Sequence, residues 1–167
     1  MGYGIIEIIN NKPNLITLNS ISLNKLEDHF LKLKSIFEQT ILLIDKYNPD
    51  ELAIESQFFG KNVQSMLKLG RAQGVAISAA LSRSIPIFEY APRKIKMAIT
   101  GNGAASKEQV AAFLKGYLQI KEIPEKLDAT DGLAVAVCHF FQDNALVNDK
   151  PIKNWSDFIK KNPDRIK

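Results

Sequence analysis

The sequence predicts an α/β protein, a mixed sheet flanked by helices. Short apolar runs with strand character lie at residues 4–9, 15–18, 51–55 and 85–90. Longer segments with helical spacing separate the second run from the third and the third from the fourth. Strands that alternate with helices in this way pack as layers, and one hairpin among otherwise crossover-linked strands makes the sheet mixed.

The 167 residues fit one domain able to bury a core. Hydrophobic and charged contents of 46% and 24% are those of an ordinary globular protein. A net charge of +4 is compatible with a polyanionic partner without requiring one. The single Cys138 excludes an internal disulfide and a cysteine-based zinc cluster. No apolar run reaches membrane-spanning length, and the N-terminus lacks the basic-then-apolar layout of a secretion signal. A cytoplasmic protein with no membrane partner is expected.

In order, residues 4–9 and 15–18 form a hairpin around the turn cluster Asn10-Asn11-Lys12-Pro13-Asn14. A long helix follows from about Asn24, with Asn24 and Glu27 at its cap and Leu26, Phe30, Leu33, Phe37, Ile41 and Ile44 on its apolar face. Pro49-Asp50 ends it. Residues 51–55 make a short buried strand and 58–62 a loop. Residues 63–82 make a helix with Met66, Leu69, Ala72 or Gln73, Ala76 and Ala80 along one face. Pro86 makes the strand at 85–90 an edge or a late starter. Pro92 opens a short helix, Gly101-Asn102-Gly103 is a loop, and Ser106 with Gln109 caps the next helix. The last helix begins near Asp128. A polar, lysine-rich tail at 143–167 follows a domain at 1–142.

Asp128 and Asp131 sit three apart at the mouth of that apolar helix, so their carboxylates share a face. Such a pair suits a hard divalent cation. It equally suits capping, with Asp128 as N-cap and Asp131 at the third helical position. Glu55 ends a buried strand, where ligands gather in α/β sheets. Three acids near one point raise one another's pKa unless a cation or basic residue compensates. Two metal ions about 4 Å apart would suit phosphodiester cleavage. Phe58-Phe59 cannot both face a core from an extended segment; one is open to bases or to a dimer contact. Arg93, Lys94, Lys96 and Lys107 surround the glycine loop and suit a phosphate backbone, or simply a solvated face. Gly101-Asn102-Gly103 is no P-loop, because no Gly-Lys-Ser/Thr follows. His139 reads as a packed or surface histidine.

Several of these segments together resemble the bacterial Holliday junction resolvase family RuvC. They are Ala53-Ile54-Glu55, Phe58-Phe59-Gly60-Lys61-Asn62, and the run from Leu67 to Ala76. To these add the run from Phe88 to Lys96, that from Gly101 to Val110, and that from Leu127 to Ala136. The likeness covers about residues 2 to 142. It implies an RNase H-like fold, a homodimer, and a crossover junction endodeoxyribonuclease that resolves four-way DNA junctions by paired symmetric nicks with Mg²⁺. It implies Glu55, Asp128 and Asp131 as metal-binding acids, Phe58 as an aromatic against junction bases, and Lys96 and Lys107 near the cleaved backbone. The branch-migration proteins RuvA and RuvB are the implied partners.

One departure stands out. The family begins with a central strand ending in Gly-Ile-Asp-Pro-Gly, whose Asp is a fourth metal ligand; this sequence begins after it. Either the start lies upstream of Met1, which the intact remainder favours, or the start is lost and a catalytically impaired junction-binding protein remains. Without that strand, residues 3–9 and 51–55 are left with unpaired backbone groups, unless they close up and pair directly.

Overall fold

The computed structural model describes residues 1–23, 26–57, 62–122 and 128–148. The order is β1 (Gly2–Ile9), β2 (Lys12–Ser20), α1 (His29–Tyr47), β3 (Leu52–Glu55), α2 (Val63–Leu81), β4 (Ile87–Tyr90), α3 (Pro92–Thr100), α4 (Lys107–Tyr117) and α5 (Asp128–Asn148). Helix α5 thus continues past the expected boundary at residue 142, and the tail from 149 lies outside the described residues.

β1 and β2 are an antiparallel hairpin. Its turn is Asn10-Asn11, with φ of 51° and 59°. This is the two-residue geometry whose twist suits the flanking strands, and asparagine tolerates it. β2 starts at Lys12, earlier than the expected residue 15, and Pro13 pairs with Ile8. A proline is admissible there because β2 has one partner and a free edge.

α1 starts at His29 rather than near Asn24. Asp28 caps it, its Oδ1 accepting from the Leu31 amide at 2.9 Å; Asn24 lies outside the described residues. The buried side is Ile36, Thr40 and Ile44. Phe30 and Phe37, expected toward the core, are 73% and 39% exposed. The apolar stripe of α1 is wider than the surface that α2 covers, so the buried side is rotated around the helix. In α2 the buried residues are Ala76, Ala79 and Ala80, while Leu69 is exposed.

β3 and β4 pair in parallel, Leu52 with Ile87 through to Glu55 with Tyr90. The Leu52 amide donates to Pro86 and the Ser56 amide to Tyr90, both at 2.9 Å. β4 begins just after Pro86 and lies at an edge, as the proline requires. Pro92 stands in the first turn of α3, and Gly101 ends that helix at φ 72°. Ser106 and Gln109 form the expected capping box of α4.

Both strand directions of a mixed sheet are present, but as two separate two-stranded sheets, β1–β2 and β3–β4. β1 and β3 do not close up. Each lies against α5 instead, whose Leu133, Val137 and Cys138 are fully buried. α3 and α4 pack on the same helix through Ile95, Ile99, Val110 and Leu114. On the β1 side backbone meets backbone. A Cβ on Gly4 would lie 2.6 Å from Leu133 Cα, and one on Gly2 would overlap the Asp128 carbonyl oxygen. Among the described residues, no helix is long and apolar enough to cross a membrane.

Two substitutions test this contact. Gly4→Ala forces β1 off α5 and is expected to cost about 1–3 kcal/mol. Leu133→Ala leaves a cavity under the strand and is expected to cost about 2–5 kcal/mol. Both read as lower urea midpoints with an unchanged slope.

Candidate active site

The acids and two of the lysines meet where the N-termini of α4 and α5 face each other. Asp128 is the first residue of α5, not its N-cap as expected, and Asp131 is the fourth. Both carboxylates lie in the first turn, where the positive end of the helix favours them. Lys107 is the first residue of α4, a position the helix dipole disfavours for a cation. The capping box holds the turn: the Ser106 amide donates to Gln109 Oε1 at 2.9 Å and Ser106 Oγ accepts from the Gln109 amide at 3.3 Å. The loop before it is fixed by Asn102 Oδ1, which accepts from the Ala104 amide at 2.9 Å.

The Lys107 ammonium is 2.5 Å from Asp131 Oδ2 and 4.0 Å from Asp128 Oδ1. These side chains are between 39% and 71% exposed, so the pairs contribute little to stability. Their effect is to gather charge. The hydrogen bond to Asp131 holds the Lys107 ammonium above the usual lysine range, and Asp128 and Glu55 add to this.

Glu55 reaches the cluster from the end of β3. It keeps a solvent-facing side, but the protein behind it is the largest influence on its carboxyl. Burial pushes it up, Asp131 raises it further, and Lys107 and Lys96 pull it back. Lys96 comes from α3 and is half-buried.

The other predicted contacts lie elsewhere. The Lys94 ammonium sits 5.2 Å from the centre of the Tyr90 ring. The Arg93 side chain lies against Gly103, where a Cβ would come within 2.7 Å of Arg93 Cγ. Phe58 lies outside the described residues.

Sequence reasoning missed Gln73. Its Nε2 donates to the Glu55 carbonyl at 3.3 Å and to Glu89 Oε1 at 3.1 Å, tying α2 to the strand that carries Glu55. A polar residue on an otherwise apolar helix face was the available signal.

For a divalent cation the donors are right in kind. Asp128 and Asp131 offer hard oxygens, and the Lys107 ammonium already holds both from one side. Glu55 contributes its field. Among the described residues no three acidic, histidine or cysteine side chains converge as a ready cage.

Residues 1–139 match the sequence pattern of the family described as crossover junction endodeoxyribonuclease RuvC. The chain belongs to the RuvC family. A RuvC of Christiangramia forsetii is 59% identical over 167 residues, which is all of this chain and 87% of that protein. One of Porphyromonas gingivalis is 57% identical over 173 aligned residues, covering all of this chain and 91% of that protein. The solved RuvC of Thermus thermophilus superposes with a TM-score of 0.76 at 28% identity, covering 85% of this chain and 87% of that one. The same protein in complex with a Holliday junction substrate gives 0.78 at 28% identity, with the same coverage. The fold is RNase H-like.

The Glu55 carboxyl reports on this cluster. Its raised folded-state pKa means that its ionisation opposes folding. The stabilising contribution is present below the unfolded pKa and is lost as pH rises through the folded one. Followed by carboxyl NMR, its titration is expected to move to lower pH in Asp131→Asn and to higher pH in Lys107→Met. The opposite order would remove Glu55 from the cluster.

Proposed function

We propose that this chain is a crossover junction endodeoxyribonuclease that resolves four-way DNA junctions by paired, symmetric nicks. The observation that carries this is the gathering of Glu55, Asp128, Asp131, Lys96 and Lys107 at one end of an RNase H-like fold in a RuvC family member. Asp128 and Asp131, with Glu55 beside them, would hold Mg²⁺. A bound divalent cation supplies charge stabilisation at the phosphate and a nucleophilic water. Lys96 and Lys107 orient the scissile phosphate and balance the charge that develops on it. Arg93 and Lys94 track the flanking backbone, and Phe58 meets junction bases.

The active form is a homodimer, whose twofold symmetry matches paired cuts on a symmetric junction. One face of α2 supports this reading. Val63, Leu67 and Leu81 are 64%, 54% and 58% exposed. Gly70 and Gly74 share that face, and a Cβ at either would meet nothing within 4 Å. An exposed apolar face floored by glycines lets two helix backbones approach closely. The protein acts in the cytoplasm, with the branch-migration proteins RuvA and RuvB as partners.

The deciding experiment is a synthetic four-way junction incubated with the protein in Mg²⁺. Symmetric, ligatable nicks are expected, and Asp131→Asn is expected to lose roughly a hundredfold or more of the rate while still retarding the junction on a gel. Retardation without nicks at any Mg²⁺ concentration would leave a junction-binding protein and overturn the nuclease reading. Gly74→Arg is expected to convert a dimer to a monomer in light scattering.

A further inference from the structure

A second polar cluster joins Glu51, at the end of β3 away from Glu55, to Tyr90, which pairs with Glu55 across the β3–β4 ladder. His139, on α5, is bonded through both ring nitrogens. Nδ1 is 2.6 Å from the Tyr90 hydroxyl and Nε2 is 2.6 Å from Glu51 Oε2. The side chain is only 15% exposed, and its ring packs on Phe88 with centroids 4.4 Å apart. The proton pattern closes without a net charge on the ring. Glu51 accepts from Nε2–H, which leaves Nδ1 free to accept from the Tyr90 hydroxyl. Burial pushes the Tyr90 phenol up, and the nearby Cys138, Glu51 and Asp143 raise it further, so it keeps the proton it donates.

The two clusters are connected by length. Glu51 immediately precedes β3 and Glu55 ends it. Asp131 and His139 are both on α5, which lies against β3. From 51 to 55 an extended chain advances about 13 Å. From 131 to 139 a helix advances about 12 Å. Strand and helix therefore run side by side over nearly equal distances, with Glu51 bonded to His139 at one end and Glu55 in the field of Asp131 at the other. Tyr90 adds the third element: its carbonyl accepts from the Ser56 amide beside Glu55, while its hydroxyl holds His139.

We infer that Glu51, His139 and Tyr90 are positioning residues that set the placement of α5 along β3, and with it the spacing between Glu55 and the Asp128–Asp131 turn. The inference rests on the nuclease reading only for its effect on rate; the spacing itself is a property of the folded chain. The bonds of His139 to Glu51 and Tyr90 are directional links between α5 and the β3–β4 sheet. Apolar packing between α5 and the β3–β4 sheet resists separation far more than sliding, whereas two hydrogen bonds to one imidazole resist sliding.

Three variants separate positioning from bulk stability. His139→Phe keeps the ring against Phe88 and loses both bonds. Tyr90→Phe loses one hydroxyl. Glu51→Gln keeps an acceptor and loses the charge. In His139→Phe and Tyr90→Phe the nuclear Overhauser contacts between β3 and α5 are expected to weaken or change partners as α5 shifts, with Glu51→Gln intermediate. The Mg²⁺ concentration for half-maximal nicking is expected to rise about tenfold in His139→Phe, with junction affinity unchanged. Unchanged β3–α5 contacts in both His139→Phe and Tyr90→Phe overturn the inference. So does a uniform loss of folding, binding and nicking in which Glu51→Gln restores nothing. If the unaltered protein does not nick the junction, the nuclease reading fails, and the β3–α5 contacts still decide the positioning role.

Discussion

Both half-sheets are placed by what they touch on α5. Where strands share a ladder, backbone hydrogen bonds fix direction, distance and register at once. Among the described residues β1–β2 and β3–β4 share no such ladder, so those constraints come from α5. Its buried Leu133, Val137 and Cys138 supply the attraction, but hydrophobic contact is not directional. On the β1 side direction comes from shape. Gly2, Gly4 and Gly132 let the two backbones approach so closely that few relative positions avoid overlap. On the β3 side it comes from polar bonds, through His139. Steric fit and hydrogen bonding thus divide a task that one continuous sheet would perform.

The electrostatics of the acidic end follow from the same geometry. α4 and α5 bring their N-termini together, and each presents the positive end of a dipole. Carboxylates on that spot are favoured by both helices, which helps explain how Glu55, Asp128 and Asp131 coexist. Lys107 is the exception that completes the pattern. It stands where its own helix disfavours it, held by the capping box and by the acids opposite. Local preference is overruled there by a tertiary contact.

Much of this was legible in the chain. The asparagine turn, the capping box at Ser106, Pro92 in a first turn and Pro86 before an edge strand each rest on chemistry confined to a few neighbouring residues, and each is found where read. Period alone misplaced the buried side of α1. Apolar residues such as Phe30 and Phe37 carry the same signal whether they face a core or an outer surface. The start of α5 shifted by one position, because Asp is at home both as a cap and in a first turn. What sequence could not supply was distance across the fold. His139 gave no sign of Glu51 and Tyr90, and Gln73 none of Glu55, because those partners lie in segments far away along the chain. The strand-end position of Glu55 suggested its grouping with Asp128 and Asp131, and the family resemblance added Lys107, since no spacing rule links residue 55 to residue 131.

The matched lengths of segments 51–55 and 131–139 bear on which changes in chain length the protein tolerates. A strand advances more than twice as far per residue as a helix. One residue inserted between 51 and 55 reverses the facing of every side chain beyond it. One inserted between 131 and 139 turns the remainder of the helix by about 100°. Neither error is absorbed locally, because both segments are held at their two ends. Substitutions at the exposed positions of these stretches keep that alignment, while insertions and deletions are driven out into the connecting loops.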